Sequence, residues 1–199
     1  MDLIAASPLW VLARATGVVL LVLLTLVLSL GVATSAGLRL ARVPRFAVQL
    51  LHRDAALLAL ALLVVHVGTV VADGYVDVGP LAALVPFTSG YAPVWVGLGA
   101  LALDLLLALV VTSLLRARLG QRAWRAVHLL AYATWPLAVV HGLGAGTDGT
   151  SPWLLGLDAA CAALLLAALG VRTATRAARR AEADATAPRR PLTPAGAPR

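Results

Sequence analysis

Five stretches of the chain are apolar almost without interruption: about Leu9–Val32, Phe46–Val71, Val94–Leu115, Ala123–Leu143 and Trp153–Val171. Each approaches or exceeds the roughly 20 residues that an α-helix needs to cross a hydrocarbon core of about 30 Å. They are too long for buried strands and too evenly apolar for one-sided surface helices. With no water available to satisfy backbone amides inside a bilayer, such segments form helices. The pattern predicts an all-α, polytopic bundle of five transmembrane helices.

The polar positions between these stretches give the bundle a direction. All sixteen basic residues are arginines. Arg39, Arg42 and Arg45 lie in the first connection and Arg116, Arg118, Arg122 and Arg125 in the third. Arg172, Arg176, Arg179, Arg180, Arg189, Arg190 and Arg199 follow the last stretch. The second and fourth connections carry no basic residue, only Asp73, Asp77 and Asp148. Arginines stay on the cytoplasmic side, so the amino terminus is expected outside and the carboxyl terminus inside. The first stretch ends in Val32-Ala33-Thr34-Ser35-Ala36, which resembles a cleavage site. Its amino end, however, has no basic residue before Arg14, and a retained helix is expected. Residues 8–172 are read as one membrane domain. Residues 173–199, rich in Arg, Ala and Pro, are read as a cytoplasmic tail that briefly extends the last helix and is otherwise disordered.

Composition narrows the class. Of 199 residues, 61% are hydrophobic and 13% charged, and the mean hydropathy is +0.92. A soluble domain carries about twice that share of charge, which excludes an ordinary soluble enzyme. The net charge of +7 is a topology signal with lipid headgroups as its partners; no nucleic acid is expected. The single cysteine, Cys161, excludes an intrachain disulfide and a CxxC pair, and reads as a small packing residue.

All four histidines fall in membrane stretches: His52 and His66 in the second, His128 and His141 in the fourth. An ionisable residue in a span faces the interior and marks a functional site by default, although any one of them alone reads equally well as an interhelical hydrogen-bonding group. The second and fourth helices run in the same direction. His66 follows His52 by 14 residues and His141 follows His128 by 13, so each step covers about 20 Å along its helix. Two pairs therefore stand at matched depths, one toward each membrane face. Imidazoles on opposite sides of an iron suit a six-coordinate haem built for electron transfer, and two haems across the bilayer would form a wire. On an ideal helix, 14 residues bring His66 to within about 40° of His52, whereas 13 leave His141 about 140° from His128. Pro136, between the last two, is expected to kink the helix and absorb part of that mismatch.

These residues resemble a known family. The H-x13-H of His52/His66 and the H-x12-H of His128/His141 lie on alternate helices. With them come Ala13-Arg14-Ala15-Thr16-Gly17, Leu51-His52-Arg53, Val85-Pro86-Phe87-Thr88-Ser89-Gly90-Tyr91 and Trp124-Arg125-Ala126-Val127-His128. Together they are similar to the ferric reductase-like transmembrane domain of ferric reductases, NADPH oxidases and the haem-binding partner of periplasmic methionine sulfoxide reductase. The resemblance covers about residues 8–172. It implies two haem b groups, His52 with His128 on the inner and His66 with His141 on the outer, in a multi-pass protein of the plasma membrane. Many relatives continue into flavin and nicotinamide domains that this sequence does not show. The resemblance therefore implies a separate donor, a flavoprotein or quinol, and an extracytoplasmic electron acceptor. The alternatives are a histidine-containing transporter or metal channel and a non-catalytic membrane anchor.

Several other residues invite a role. Haem propionates seek arginine near a membrane face, which makes Arg14 and Arg53 candidates. The competing readings are snorkelling or an Asp158 pair for Arg14, and a local Arg53–Asp54 pair. Asp104, in mid-span, is expected to be protonated or hydrogen-bonded, with a proton-relay or quinol role as the bolder reading. Trp124 reads as an interfacial anchor, and Tyr132 and Trp135 as packing residues. The second connection, with Pro80, Pro86, Phe87 and Tyr91, is a candidate cover for an outer haem or dock for an acceptor. Gly144–Gly149 matches G-x-G-x-x-G but follows a membrane helix and opens no βαβ unit, so it is read as a flexible loop.

Overall fold

The computed structural model describes residues 7–36, 43–74, 76, 78–146 and 148–186. It contains α1 (Pro8–Ala36), α2 (Arg45–Ala72), α3 (Pro80–Leu84), α4 (Pro93–Leu114), α5 (Arg116–His128), α6 (Ala131–Ala145) and α7 (Pro152–Thr186), with no strand among the described residues. Prolines open α1, α3, α4 and α7, where the missing N–H would have had no helical partner anyway. The four long helices α1, α2, α4 and α7 are each long and apolar enough to cross a membrane. The bent pair α5–α6 raises the number of spans to five if it counts as one.

Two helices depart from expectation. The fourth crossing is not one rod: it breaks at Leu129–Leu130 with a bend of 42°. Pro136 sits inside α6 and is not the break. The chain tightens instead. Leu130 N–H donates to the Val127 carbonyl, Tyr132 to Leu129 and Ala133 to Leu130, all three residues back, at 2.9–3.1 Å. Such turns wind about 20° more per residue than an α-helix, and three of them recover roughly 60° of the expected mismatch between His128 and His141. The last helix is also longer than a brief extension, running to Thr186. Arg39, Arg42, Asp77 and residues 187–199 lie outside the described residues.

α1 is the hub: it packs on α2, α7 and α6, while α4 packs on α6, α5 and α3. Most of its buried positions, Ala13, Thr16, Leu21, Thr25, Leu28, Val32 and Ala36, recur every three to five residues and form a seam, with Leu30 buried beside it. Thr16 and Thr25 are tolerated there because their hydroxyls donate back to carbonyls of their own helix, Leu12 and Leu21, at 2.7 and 2.8 Å. Thr25 also accepts from the Trp135 indole N–H at 2.8 Å, tying α6 to α1. At the amino end of α6, the Arg172 guanidinium on α7 donates to the Tyr132 hydroxyl at 2.7 Å. Leucines such as Leu57, Leu58, Leu114 and Leu166 point outward, as suits a surface whose solvent is hydrocarbon. α2 and α6 are not a closely packed pair, although His66 on α2 and His141 on α6 approach each other.

Candidate functional site

Three of the four imidazoles are held in the same way. His66 Nδ1 bonds the Ala13 carbonyl at 2.8 Å, His52 Nδ1 the Val27 carbonyl at 2.9 Å, and His141 Nδ1 the Trp95 carbonyl at 2.8 Å. A carbonyl only accepts, so in each ring Nδ1 carries the proton and a neutral imidazole keeps the Nε2 lone pair free. A metal-binding imidazole needs this arrangement, with one nitrogen donating to an outer partner and the other open to the ion. α1 supplies two of the carbonyls in matching register: Ala13 and Val27 are 14 residues apart, as are His52 and His66 on antiparallel α2.

Across the bundle, His66 on α2 and His141 on α6 approach each other. The rings of His66 and His141 have centroids 6.4 Å apart and planes at 89°. His128 differs from the other three, since its Nδ1 is buried without a hydrogen-bond partner. Its ring stacks on Trp124 of the preceding turn, centroids 4.7 Å apart and planes 25° from parallel. The Arg116 guanidinium lies 4.3 Å from the Trp124 ring centre, and the indole N–H donates to Ser113 Oγ at 3.4 Å. Trp124 thus packs against the candidate ligand as well as lying near a helix end.

Glycines make room for the rings, and the sequence reading missed them. A Cβ on Gly17 would come within 3.1 Å of the His66 ring, one on Gly31 within 3.3 Å of His52, and one on Gly99 within 2.6 Å of His141. The signal was legible: Gly17 and Gly31 repeat the 14-residue interval of His52 and His66.

The His66–His141 pair fits a haem better than a bare ion. Two metal–nitrogen bonds of about 2 Å, plus roughly 1 Å from each nitrogen to its ring centre, place two trans imidazoles about 6 Å apart between centroids. The spacing of His66 and His141 matches that arithmetic, and perpendicular planes are allowed because each ring can turn about the shared axis. Among the described residues no three His, Cys, Asp or Glu side chains gather to hold a metal ion. A protein-only metal site wants three or four ligands, whereas a porphyrin brings four nitrogens and asks the protein for two.

The ferric reductase like transmembrane component model matches residues 16–139. The chain belongs to that family. No curated protein and no solved structure matches the chain. This ferric reductase-like domain is a membrane protein of a family that generally binds haem and whose function is transmembrane electron transfer. The matched segment includes His52, His66 and His128; His141 stands two residues past its end and Arg14 two before its start.

Each of the two candidate arginines has an acidic partner. Arg14 forms an ion pair with Asp148 in the α6–α7 connection, not with Asp158, and its guanidinium carbon lies 5.2 Å from the Trp10 ring centre. Arg53 donates to adjacent Asp54 at 3.1 Å on an exposed surface, the local pair weighed above. Asp104 is half-buried in mid-α4 and takes no part in the hydrogen bonds that hold the histidines. Cys161 is free and buried.

The Gly144–Gly149 segment is not the loose loop expected of it. An added Cβ at Gly144 would collide with the Trp95 ring, and one at Gly149 with the Leu143 carbonyl. Asp148 anchors the turn through Arg14. Asp148→Asn leaves a mostly buried guanidinium with a weaker partner. It should cost about 1–2 kcal/mol, read as a lower thermal unfolding midpoint in detergent.

In the second connection, Phe87 adopts φ 66°, a left-handed conformation unusual for a bulky residue. Its ring and amide press on Gly97 of α4, where a Cβ would meet them at 2.3 and 2.7 Å. Tyr91 N–H donates to Ser89 Oγ, whose hydroxyl donates to the Tyr91 carbonyl at 2.7 Å, and Ser89 is buried. This connection is thus folded onto the same end of α4 that presents the Trp95 carbonyl.

Proposed function

We propose that this chain carries electrons across the plasma membrane on two haem b groups, from a cytoplasmic-side flavoprotein or quinol donor to an extracytoplasmic acceptor. His52 with His128 holds the inner group and His66 with His141 the outer. The carrying observation is that His66 and His141 face each other at a bis-imidazole spacing with their Nδ1 protons already committed to backbone carbonyls. Haem supplies reversible one-electron chemistry when bound.

The chain's own residues do the rest. α1 and α4 fix the tautomer of three ligands, the leucine-rich outer faces exclude water, and the two levels of histidine span most of the membrane's thickness. Arginines cluster on one side of the predicted topology, which supports an amino terminus outside, a carboxyl terminus inside and a donor approaching the basic face. The Arg and Ala-rich end of α7, with Arg172, Arg176, Arg179 and Arg180, extends past the apolar span on that side.

The test is the reduced-minus-oxidised visible spectrum of the purified full chain, with haem quantified per polypeptide. Two b-type haems per chain, reducible from one side of a proteoliposome with electrons delivered to an impermeant ferric chelate on the other, are expected. A colourless protein, or a single haem untouched by changes at all four histidines, overturns the proposal.

A further inference from the structure

The three carbonyl–imidazole bonds share a further regularity. The accepting carbonyls belong to Ala13, Val27 and Trp95, and the glycines against the same three rings are Gly17, Gly31 and Gly99, each four residues later. A helical side chain leans toward the amino end and covers the turn before its own Cα. The side chain at i+4 therefore roofs the carbonyl of i, and an outside donor reaches that oxygen only when i+4 has no side chain. The carbonyl already accepts from the amide at i+4 and has a second lone pair for the imidazole.

The fourth position obeys the same logic in reverse. Thirteen residues beyond Trp95 and Gly99, the interval that separates His141 from His128, stand Ala108 and Thr112. Here the Thr112 hydroxyl donates to the Ala108 carbonyl at 2.7 Å, and His128 Nδ1 has no acceptor.

We propose that Gly17, Gly31 and Gly99 are positioning residues for the haem ligands. Each keeps a backbone carbonyl open, and that carbonyl holds one imidazole with its Nε2 free and aimed at the partner histidine. This rests on the di-haem reading for its spectral consequence but not for the seat itself. The ranking follows from the spaces. Gly99→Ala puts a Cβ 2.6 Å from the His141 ring and must displace it, whereas Gly17→Ala at 3.1 Å and Gly31→Ala at 3.3 Å demand shifts of tenths of an ångström. Gly68 and Gly156, where an added Cβ meets nothing within 4 Å, serve as controls.

Two measurements on the full chain test it. In ¹⁵N spectra of haem-free protein, His66, His52 and His141 should be Nδ1–H tautomers, and Gly99→Ala should change that signature for His141 alone. In haem-loaded protein, Gly99→Ala should weaken retention of the outer haem about 10- to 100-fold, the usual effect of losing a ligand's orienting partner. It should leave the inner haem's bands in place, while Gly31→Ala acts on the inner one. Outer-haem retention unchanged in Gly99→Ala, or equal losses in Gly68→Ala and Gly156→Ala, overturns the proposal. A wild-type chain that takes up no haem while keeping the three tautomers sinks the electron-transfer reading and leaves the seat standing.

Discussion

His141→Ala is expected to halve the bound haem and abolish electron delivery to an outside acceptor, while the chain still inserts and folds. Two features make this effect large. First, the outer level has no spare ligand, because no third His, Cys, Asp or Glu gathers with His66 and His141 among the described residues. Second, the protein investment at this level is entirely in orientation: the Trp95 carbonyl and the empty space at Gly99 exist around the ring that is removed. The loss of one hydrogen bond costs the fold only about 1 kcal/mol. On the proposed pairing, the inner level, a step of about 20 Å away along α5 and α6, keeps His52 and His128. Haem content, the remaining absorption band and reduction of an impermeant ferric chelate by proteoliposomes read the three consequences separately. Full chelate reduction by His141→Ala would remove the outer histidines from the path.

Much of this arrangement was legible before any coordinates. The five apolar stretches and the matched depths of the histidine pairs follow from one-dimensional spacing, since helix rise converts residue count directly into depth. The facing of His66 and His141 was harder to read. The 13-residue interval gives the wrong angle on a regular helix, and part of the correction comes from three tight-turn hydrogen bonds between Val127 and Ala133 that no proline or glycine announces. Pro136 was the obvious suspect and is accommodated inside α6. The carbonyl seats were hidden for a different reason: a backbone oxygen leaves no mark in a sequence, and only the glycine four residues on betrays it. The partner of Arg14 was hidden in a third way. Asp148 lies in a turn whose glycine pattern invited dismissal, yet the turn folds back on α6 and reaches α1.

The asymmetry at His128 has the second large consequence. Reduced protein exposed to carbon monoxide should take it up at the inner haem alone, about half of the total, with His128 as the ligand that leaves. Imidazole grips iron more strongly when its other nitrogen donates to a carbonyl, because the shared proton leaves the ring more electron-rich. His52, His66 and His141 all have that acceptor; His128 does not, and the positive Arg116 guanidinium lies over the Trp124 ring on which His128 stacks. His128 also closes α5 immediately before the break at Leu129–Leu130, where the backbone can give without disturbing a long packed rod. What retains the ring is the stack on Trp124, and aromatic stacking contributes about 0.5–1.5 kcal/mol. Trp124→Ala should therefore raise the carbon monoxide affinity of the inner haem by up to about tenfold, the equivalent of 1.4 kcal/mol. Trp135→Ala, which removes the bond to Thr25 instead, should leave it unchanged. Carbon monoxide displacing His141 before His128 would show that the orphaned nitrogen does not set the strength of ligation.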